Sequence, residues 1–373
     1  MKSKKKKSNI IQPITGLFLF CHFMVVAALI FSLLAGIIPP DKLWIFSFFG
    51  LVYLPVYIAN IGFTAIWILL RRKYWLLSLI PLVLGFMIFR GHFNINFHGE
   101  QAKKTGDIKV MTFNVRSFQP TDGFSHDEFM RKSFANIEKE HPDIICFQEY
   151  NLPDEGKFGL EGLKRRLGLP YSANSMPESN IKKNNITDVN ILSRYPVMES
   201  KHFDFNSGYS CQYADILYRN QTIRVICIHL QSYMLYTEEK VILHAPRTFT
   251  NFDENRISHD SRKIAWKLRW ALKQRAPEAR NVADFVSKSP YPVILCGDFN
   301  DTPASYAYRT ISKSLEDPFP IYGNGIARTY NESKYPFRID YILYSDRFSS
   351  LDYHVIPTKL SDHNPVTSIL RMK

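Results

Sequence analysis

The sequence predicts a layered α/β (α+β) domain behind an apolar helical region. Three observations carry this expectation. The first ninety residues hold long runs without Asp, Glu, Lys or Arg; from Ile108 the text changes to short β-branched runs separated by polar, helix-like stretches; and several of those runs end in a carboxylate, an amide or an imidazole. At 373 residues the chain has room for two or three domains.

Residues 14–38 and 43–70 carry no charged side chain, and each exceeds the roughly 20 residues that a bilayer-spanning helix needs. Arg71-Arg72-Lys73 interrupts, and 74–89 forms a third uncharged run, short for a span unless flanking residues snorkel. The reading is a membrane anchor of three transmembrane helices over 1–90, a linker over 91–105 and a second domain over 106–373. The first run is too long for a signal peptide, and a second follows it. Basic residues gather at Lys2, 4–7 and 71–73, whereas Pro39-Pro40-Asp41-Lys42 is nearly neutral, so the positive-inside rule places the N-terminus in the cytoplasm. Three crossings put everything after Arg90 on the extracytoplasmic (periplasmic) side of the plasma or inner membrane. If 74–89 does not cross, the second domain stays inside.

The net charge of +13 suggests nucleic acid until it is divided by region. Residues 1–90 hold ten Lys and Arg against one Asp, leaving 37 basic against 33 acidic residues for the rest. Most of the excess belongs to the anchor, where topology and anionic lipid account for it. The runs within the anchor lack intramembrane charge, which disfavours transport or sensing. Of five cysteines, Cys21 lies in an apolar anchor run, Cys146, Cys227 and Cys296 in strand-like runs, and Cys211 after Gly208-Tyr209-Ser210. No CxxC or Cys/His metal spacing appears, so free thiols are expected.

In the second domain, strands are expected at 108–113, 144–147, 189–192, 214–218, 222–228, 293–296, 339–343 and 366–370. Helices are expected at 125–139, 159–166 and 258–288, the last broken before Pro277. Within it Ile264, Leu268 and Leu272 recur at a four-residue spacing. Residues 231–256 lack a period and read as a long loop near the site; 174–187 is polar and reads as a surface loop.

Six segments place polar groups at apolar strand ends. Met111-Thr112-Phe113 leads into Asn114, Cys146-Phe147 into Gln148-Glu149, Cys227-Ile228 into His229, and Leu295-Cys296 into Gly297-Asp298-Phe299-Asn300. Asp340 stands inside the run Phe337-Arg338-Ile339-Asp340-Tyr341, where an unpaired carboxylate is costly to bury, and Asp362-His363 precede a last strand. Each alone is an ordinary turn or strand end. Together they supply what metal-assisted phosphoester hydrolysis requires: a hard oxygen ligand in Glu149, an Asp298/Asn300 pair to orient water, and two histidines to stabilise charge on phosphate.

Phe113-Asn114, Gln148-Glu149, His229-Leu230, Gly297-Asp298-Phe299-Asn300-Asp301-Thr302-Pro303, Arg338-Ile339-Asp340-Tyr341-Ile342-Leu343 and Ser361-Asp362-His363-Asn364-Pro365-Val366 resemble, in order, the motifs of the endonuclease/exonuclease/phosphatase superfamily with its DNase-I-like fold. Ile191-Leu192-Ser193-Arg194-Tyr195-Pro196-Val197 resembles the segment between that family's Glu and first His motifs. The resemblance covers about 106–371 and suggests a membrane-anchored, bacterial-type member. It implies a four-layer sandwich, two packed mixed β-sheets flanked by helices, with the site at one end of the sheets. It implies Glu149 as the main Mg²⁺ ligand, with Asn114 and Asp362 nearby, and Mn²⁺ as the alternative ion. Asp298 would orient or deprotonate the attacking water, Asn300 would hold phosphate with it, and His363, polarised by Asp340, would contact phosphate. His229 would be the second histidine, and Asn114 also lies on the phosphate side. Asp188-Val189-Asn190, where many members carry glycine, and Cys227-Ile228 before His229, where Asn-Thr is common, are departures that bear on substrate fit.

The expected function is a membrane-tethered Mg²⁺-dependent phosphodiesterase acting on a phospholipid or sphingolipid headgroup. The alternative is a Mg²⁺-dependent endonuclease or exonuclease acting on DNA or RNA. A catalytically silent binding protein on the same fold should lack an essential group, and none is missing. Membrane lipid contacts the anchor, and no protein partner is expected.

Overall fold

The computed structural model describes residues 5–120, 123–152, 156–173, 189–204, 210–233 and 254–373. The loop expected at 174–187, and 234–253 of the loop expected at 231–256, lie outside these residues; 254–256 begin a helix.

The apolar region forms five helices: α1 (Lys5–Ala35), α2 (Pro40–Leu43), α3 (Ile45–Leu51), α4 (Tyr53–Leu69) and α5 (Leu76–His92). Two stretches, Thr15–Ala35 and Lys73–His92, are long and apolar enough to cross a membrane. The run expected as one span over 43–70 is interrupted: α3 and α4 meet at Val52 with a 73° bend. Pro55 explains the break, because it cannot donate to the carbonyl of Leu51 and its ring excludes a helical continuation there. The weak member of the three runs is therefore the second and not the third.

A directional hydrogen-bond chain ties α1, α4 and α5. Trp67 Nε1 donates to His22 Nδ1 at 3.0 Å, and Trp is only a donor, so the His22 proton sits on Nε2 and points to Ser78 Oγ at 2.7 Å. Ser78 donates to Asn60 Oδ1, and Asn60 Nδ2 donates to the carbonyls of Val25 and Val56.

The chain then enters β1 (Phe93–Asn94). The remaining strands are β2 (Asp107–Asn114), β3 (Ile144–Gln148), β4 (Tyr171–Ser172), β5 (Val189–Ser193), β6 (Val197–Asp204), β7 (Ser210–Tyr218), β8 (Gln221–His229), β9 (Val293–Asp298), β10 (Gly325–Ile326), β11 (Asp340–Tyr344), β12 (Phe348–Ser350), β13 (His354–Val355) and β14 (Val366–Met372). One sheet has the order β11-β9-β8-β7-β6; the other has β12-β14-β2-β3-β5-β4, with β13 also on β14. Among the described residues, β2–β3 and β8–β9 are the parallel pairs of these two sheets, and the other pairs are antiparallel. Ile108, Val110, Ile144, Val225, Ile294 and Ile342 meet between the sheets.

Helices α6 (His126–Lys139) and α7 (Leu160–Leu167) cover the outer face of the β2/β3/β5 sheet through Phe129, Phe134, Ile137 and Leu163. Ser125 caps α6 by accepting from Glu128 N, and Gly168 ends α7 in the left-handed region. Helix α8 (Glu254–Ser287) covers the other sheet through Ala279, Val282 and Val286. It runs unbroken through Pro277, where a break was expected, because burial of Ala271, Leu272, Ala276 and Ala279 on one face outweighs one missing backbone donor. The result is the four-layer sandwich. All eight expected strands are present, and β6 is an addition whose sequence, Val-Met-Glu-Ser-Lys-His-Phe-Asp, is too polar to announce itself.

The helical unit is docked on the sandwich. β1, inside the expected linker, pairs with β10, and Asn94 Nδ2 donates to Gly323 O at 2.9 Å. Thr302 Oγ1 donates to Gly50 O at 3.2 Å, Arg338 Nη1 to Gly91 O at 3.1 Å, and Arg90 to Pro320 O. Arg280 forms a two-pronged pair with Asp41. These contacts gather on α2 and α3 and at the end of α5, away from Arg71-Arg72-Lys73. Asn60→Leu should weaken the helical unit by about 1 kcal/mol, the scale of one polar contact between membrane helices, measured by SDS titration of the full chain.

Candidate active site

Strand register assembles the polar groups. In the β11-β9-β8 part of one sheet, His229 is level with Asp298 and Asp298 with Asp340. In the other sheet Asn114 is level with Gln148, which puts Glu149 one residue beyond the strand end. Gly297 is required between Cys296 and Asp298: its φ is +156°, and a Cβ there would lie 2.0 Å from Ile228 O. That close backbone approach brings Asp298 level with His229.

Asp298 is buried, and its carboxylate is the centre of the constellation. Oδ1 accepts from Asn300 N at 2.8 Å, and Oδ2 accepts from Asn114 Nδ2 at 3.1 Å. The Nε2 atoms of His229 and His363 each lie 3.7 Å from Oδ2. Burial pushes the Asp298 carboxyl up to about 6, with the charge of Asp340 adding to the rise; His363, His229 and the Asn300 amide act the other way. A carboxylate poised there can accept a proton near neutral pH.

His363 Nδ1 faces both oxygens of Asp340, at 3.2 and 3.0 Å, which turns Nε2 toward Asp298. Burial pulls the His363 pKa down, but the charges of Asp340 and Asp298 outweigh it and hold the imidazolium well above the ordinary 6.5. Thr329 Oγ1 accepts from the backbone N–H of Ile339 and of Asp340, and Tyr330 sets its ring edge against His363.

Asn114 Nδ2 also donates to Glu149 Oε1 at 3.1 Å, so one amide joins the two carboxylates. Its Oδ1 accepts from Arg116 N. Glu149 has φ +50° and Asn300 φ +51°, both left-handed. Asn tolerates this, whereas Glu does so at a cost of about 1 kcal/mol or more, a kind of strain that gathers at functional sites. Asp362 is linked to the same place: Ser361 Oγ donates to Asn114 O at 2.8 Å and to Asp362 Oδ1 at 3.3 Å. Asn300 Nδ2 donates to Leu230 O, so this side chain ties the turn after β9 to the segment after β8.

Two sets of groups could hold a cation. Among the described residues, Asp298, Asp340 and His363 offer ligand atoms within 4.8 Å of one another, a set other than the expected Glu149, Asn114 and Asp362. In the first set His363 Nδ1 is already engaged by Asp340. Glu149 and Asp362 present hard oxygen donors suited to Mg²⁺, and Glu149 is only partly buried. Asn114 turns its N–H groups, not its carbonyl, toward the carboxylates, the orientation of a positioning group.

The sequence reading missed Ser361, Thr329 and Arg275. Arg275 is buried, donates to Asn300 O and pairs with Asp301 at 3.1 Å. Its signal was available: Arg275 continues the apolar stripe of Leu268 and Leu272, where a charge has to find a partner.

Residues 111–363 match the model of the Endonuclease/Exonuclease/phosphatase family, and residues 15–92 match that of a domain of unknown function, DUF8431. No curated protein sequence matches the chain. Among solved structures, the catalytic domain of human nocturnin is similar at 17% identity over 72% of this chain and 95% of its own, with a TM-score of 0.48. A family protein from Bacteroides thetaiotaomicron is similar at 16% identity over 72% and 98%, with a TM-score of 0.48. Sphingomyelinase C from Streptomyces griseocarneus is similar at 16% identity over 70% and 99%, with a TM-score of 0.45.

Asp340→Asn should move the His363 titration down in pH, read by NMR of the histidine ring in metal-free protein. The sign follows from the raised folded pKa: His363 contributes stability that is full below 6.5 and lost as pH rises through its folded value, so the variant loses it at lower pH.

Proposed function

The chain belongs to the Endonuclease/Exonuclease/phosphatase family, and on that premise we propose that it is a membrane-tethered, Mg²⁺-dependent phosphodiesterase acting on a phospholipid or sphingolipid headgroup. The observation that supports hydrolysis best is the position of Asp298, which one Asn114 amide joins to Glu149 while two imidazoles face its free side. In this reading Asp298 takes the proton of the attacking water. The backbone N–H of Asn300 and the Asn114 amide hold its carboxylate in line. Charged His363, steadied by Asp340, and His229 donate to phosphoryl oxygens as charge develops on them. Glu149 and Asp362 would hold a divalent cation, which supplies Lewis-acid neutralisation of the phosphate. Asn300 keeps the turn, and its expected contact with phosphate is part of this proposal.

Proximity favours lipid over nucleic acid. Thr302, four residues after Asp298, bonds to α3 of the helical unit, so the site lies close to the bilayer that the unit would occupy. α1 and α5 both end against the sandwich, while 71–73 follow the far end of α4. α4 must then cross back, and its 17 residues reach about 26 Å. Three crossings with α3 lying along the interface put the sandwich on the extracytoplasmic side. A C-terminal alkaline phosphatase fusion should be active and a green fluorescent protein fusion dark; the reverse result overturns this side assignment.

Reconstituted full-length chain with Mg²⁺ should release headgroups from phospholipid or sphingomyelin vesicles, and Asp298→Asn or His363→Asn should lower kcat by about 10³. Cleavage of plasmid DNA or RNA with intact lipid would replace the lipid reading with the nuclease one. Retained activity in both variants would remove the site assignment.

A further inference from the structure

We infer that the N-terminal helical unit is a working part of the site and more than a tether: a seat built by Gly50 and Gly91 positions the loop after Asp298. The inference rests on the phosphodiesterase reading. The loop in question runs through Asp301, Thr302, Pro303 and Ala304 and directly follows Asn300.

Close backbone approach is the first support. A Cβ on Gly91 would lie 2.8 Å from Pro303 Cβ. On Gly50 it would lie 2.9 Å from Ala35 Cβ and 3.5 Å from Ala304 O, and on Gly36 3.3 Å from Ala304 O. By contrast, Gly16 and Gly62 of the same unit meet nothing within 4 Å. Gly85 is crowded as well, but inside the unit, by Tyr53 and Tyr57; Gly36, Gly50 and Gly91 stand where the unit meets this loop, and Ala304 packs with Leu29, Tyr53 and Tyr57 in one apolar cluster.

Hydrogen bonding is the second. The Thr302 hydroxyl, buried, donates to Gly50 O, and two residues upstream Arg275 holds Asn300 O. Asp301 O accepts from Tyr341 OH, whose backbone neighbour is Asp340. Arg338, two residues before Asp340 and buried, donates to Gly91 O and to Asp317 Oδ1. The unit therefore touches both segments that carry the paired acids, Asp298 and Asp340, and it touches them through backbone carbonyls that a side chain elsewhere cannot supply. Thr302 is a positioning residue: it acts on the reaction through Asn300 and Asp298, and a displacement of about 1 Å there is enough to cost turnover.

The test uses the full chain in nanodiscs with bis-p-nitrophenyl phosphate as probe. Thr302→Val, which keeps the shape and removes the donor, should lower kcat about tenfold with KM within about twofold, and Thr302→Ser should restore it. Gly91→Val and Thr302→Val should both raise hydrogen exchange at 299–305, while Gly16→Ala and Gly62→Ala leave rate and exchange unchanged. Unchanged kcat in Thr302→Val, or unchanged exchange at 299–305 in both loop variants, overturns the inference. Inert wild-type protein whose loop still opens in the variants overturns the phosphodiesterase reading alone and leaves the seat in place.

Discussion

Buried hydrogen bonds join the two halves of the sandwich at the strand ends, from Asn114 to Asp298 and from His363 to Asp340. Asn114 ends a strand of one sheet and Asp298 ends a strand of the other, and the 3.1 Å contact from the amide to the carboxylate spans the gap. Both groups are buried, so neither can exchange its partner for water without a cost of about 1–3 kcal/mol. The two sheets are free to pack on each other in many ways through Ile, Val and Cys side chains, since apolar contact is non-directional. The polar tie selects one alignment among them. Glu149, Asp362 and the pair of His363 and Asp340 all take their places relative to that alignment.

Much of this was legible in the sequence. Short β-branched apolar runs marked the strands, and the polar stretches between them marked α6 and α7 to within a residue or two. Asn114, Glu149, His229, Asp298, Asp340 and His363 could be picked out because each interrupts an apolar run. The helical unit was read less well. Residues 43–70 look continuous in hydropathy because hydropathy does not register that Pro55 lacks a donor, and the break at Val52 follows from that one missing N–H. The seat between unit and sandwich was not legible at all. It consists of backbone carbonyls and glycines, and neither announces a distant partner in the sequence.

Burial does two opposite things here. In the centre of the sheets it encloses Cys146, Cys227 and Cys296 together, pushes the Cys146 thiol well up, and leaves Cys227 Sγ hydrogen-bonded to Phe147 O and Gln148. At the strand ends it concentrates charge, since Asp298, Asp340 and His363 lie in one buried cluster where burial and Asp340 raise the Asp298 carboxyl and the two carboxylates raise His363. The same burial that would penalise an isolated carboxylate is offset here by the neighbouring histidines.

The hydrogen-bond chain from Trp67 through His22 and Ser78 to Asn60 has a consequence for encounter rates. Its direction is fixed at every link, so the three helices share one rotational setting, and the sandwich clamped to their ends inherits it. In the membrane-tethered reading proposed above, a site held at constant height and tilt over a bilayer would meet lipid targets by lateral drift and not by collision from bulk. Turnover would then scale with the number of target molecules per unit area of membrane, and diluting the suspension at fixed lipid composition would leave it unchanged.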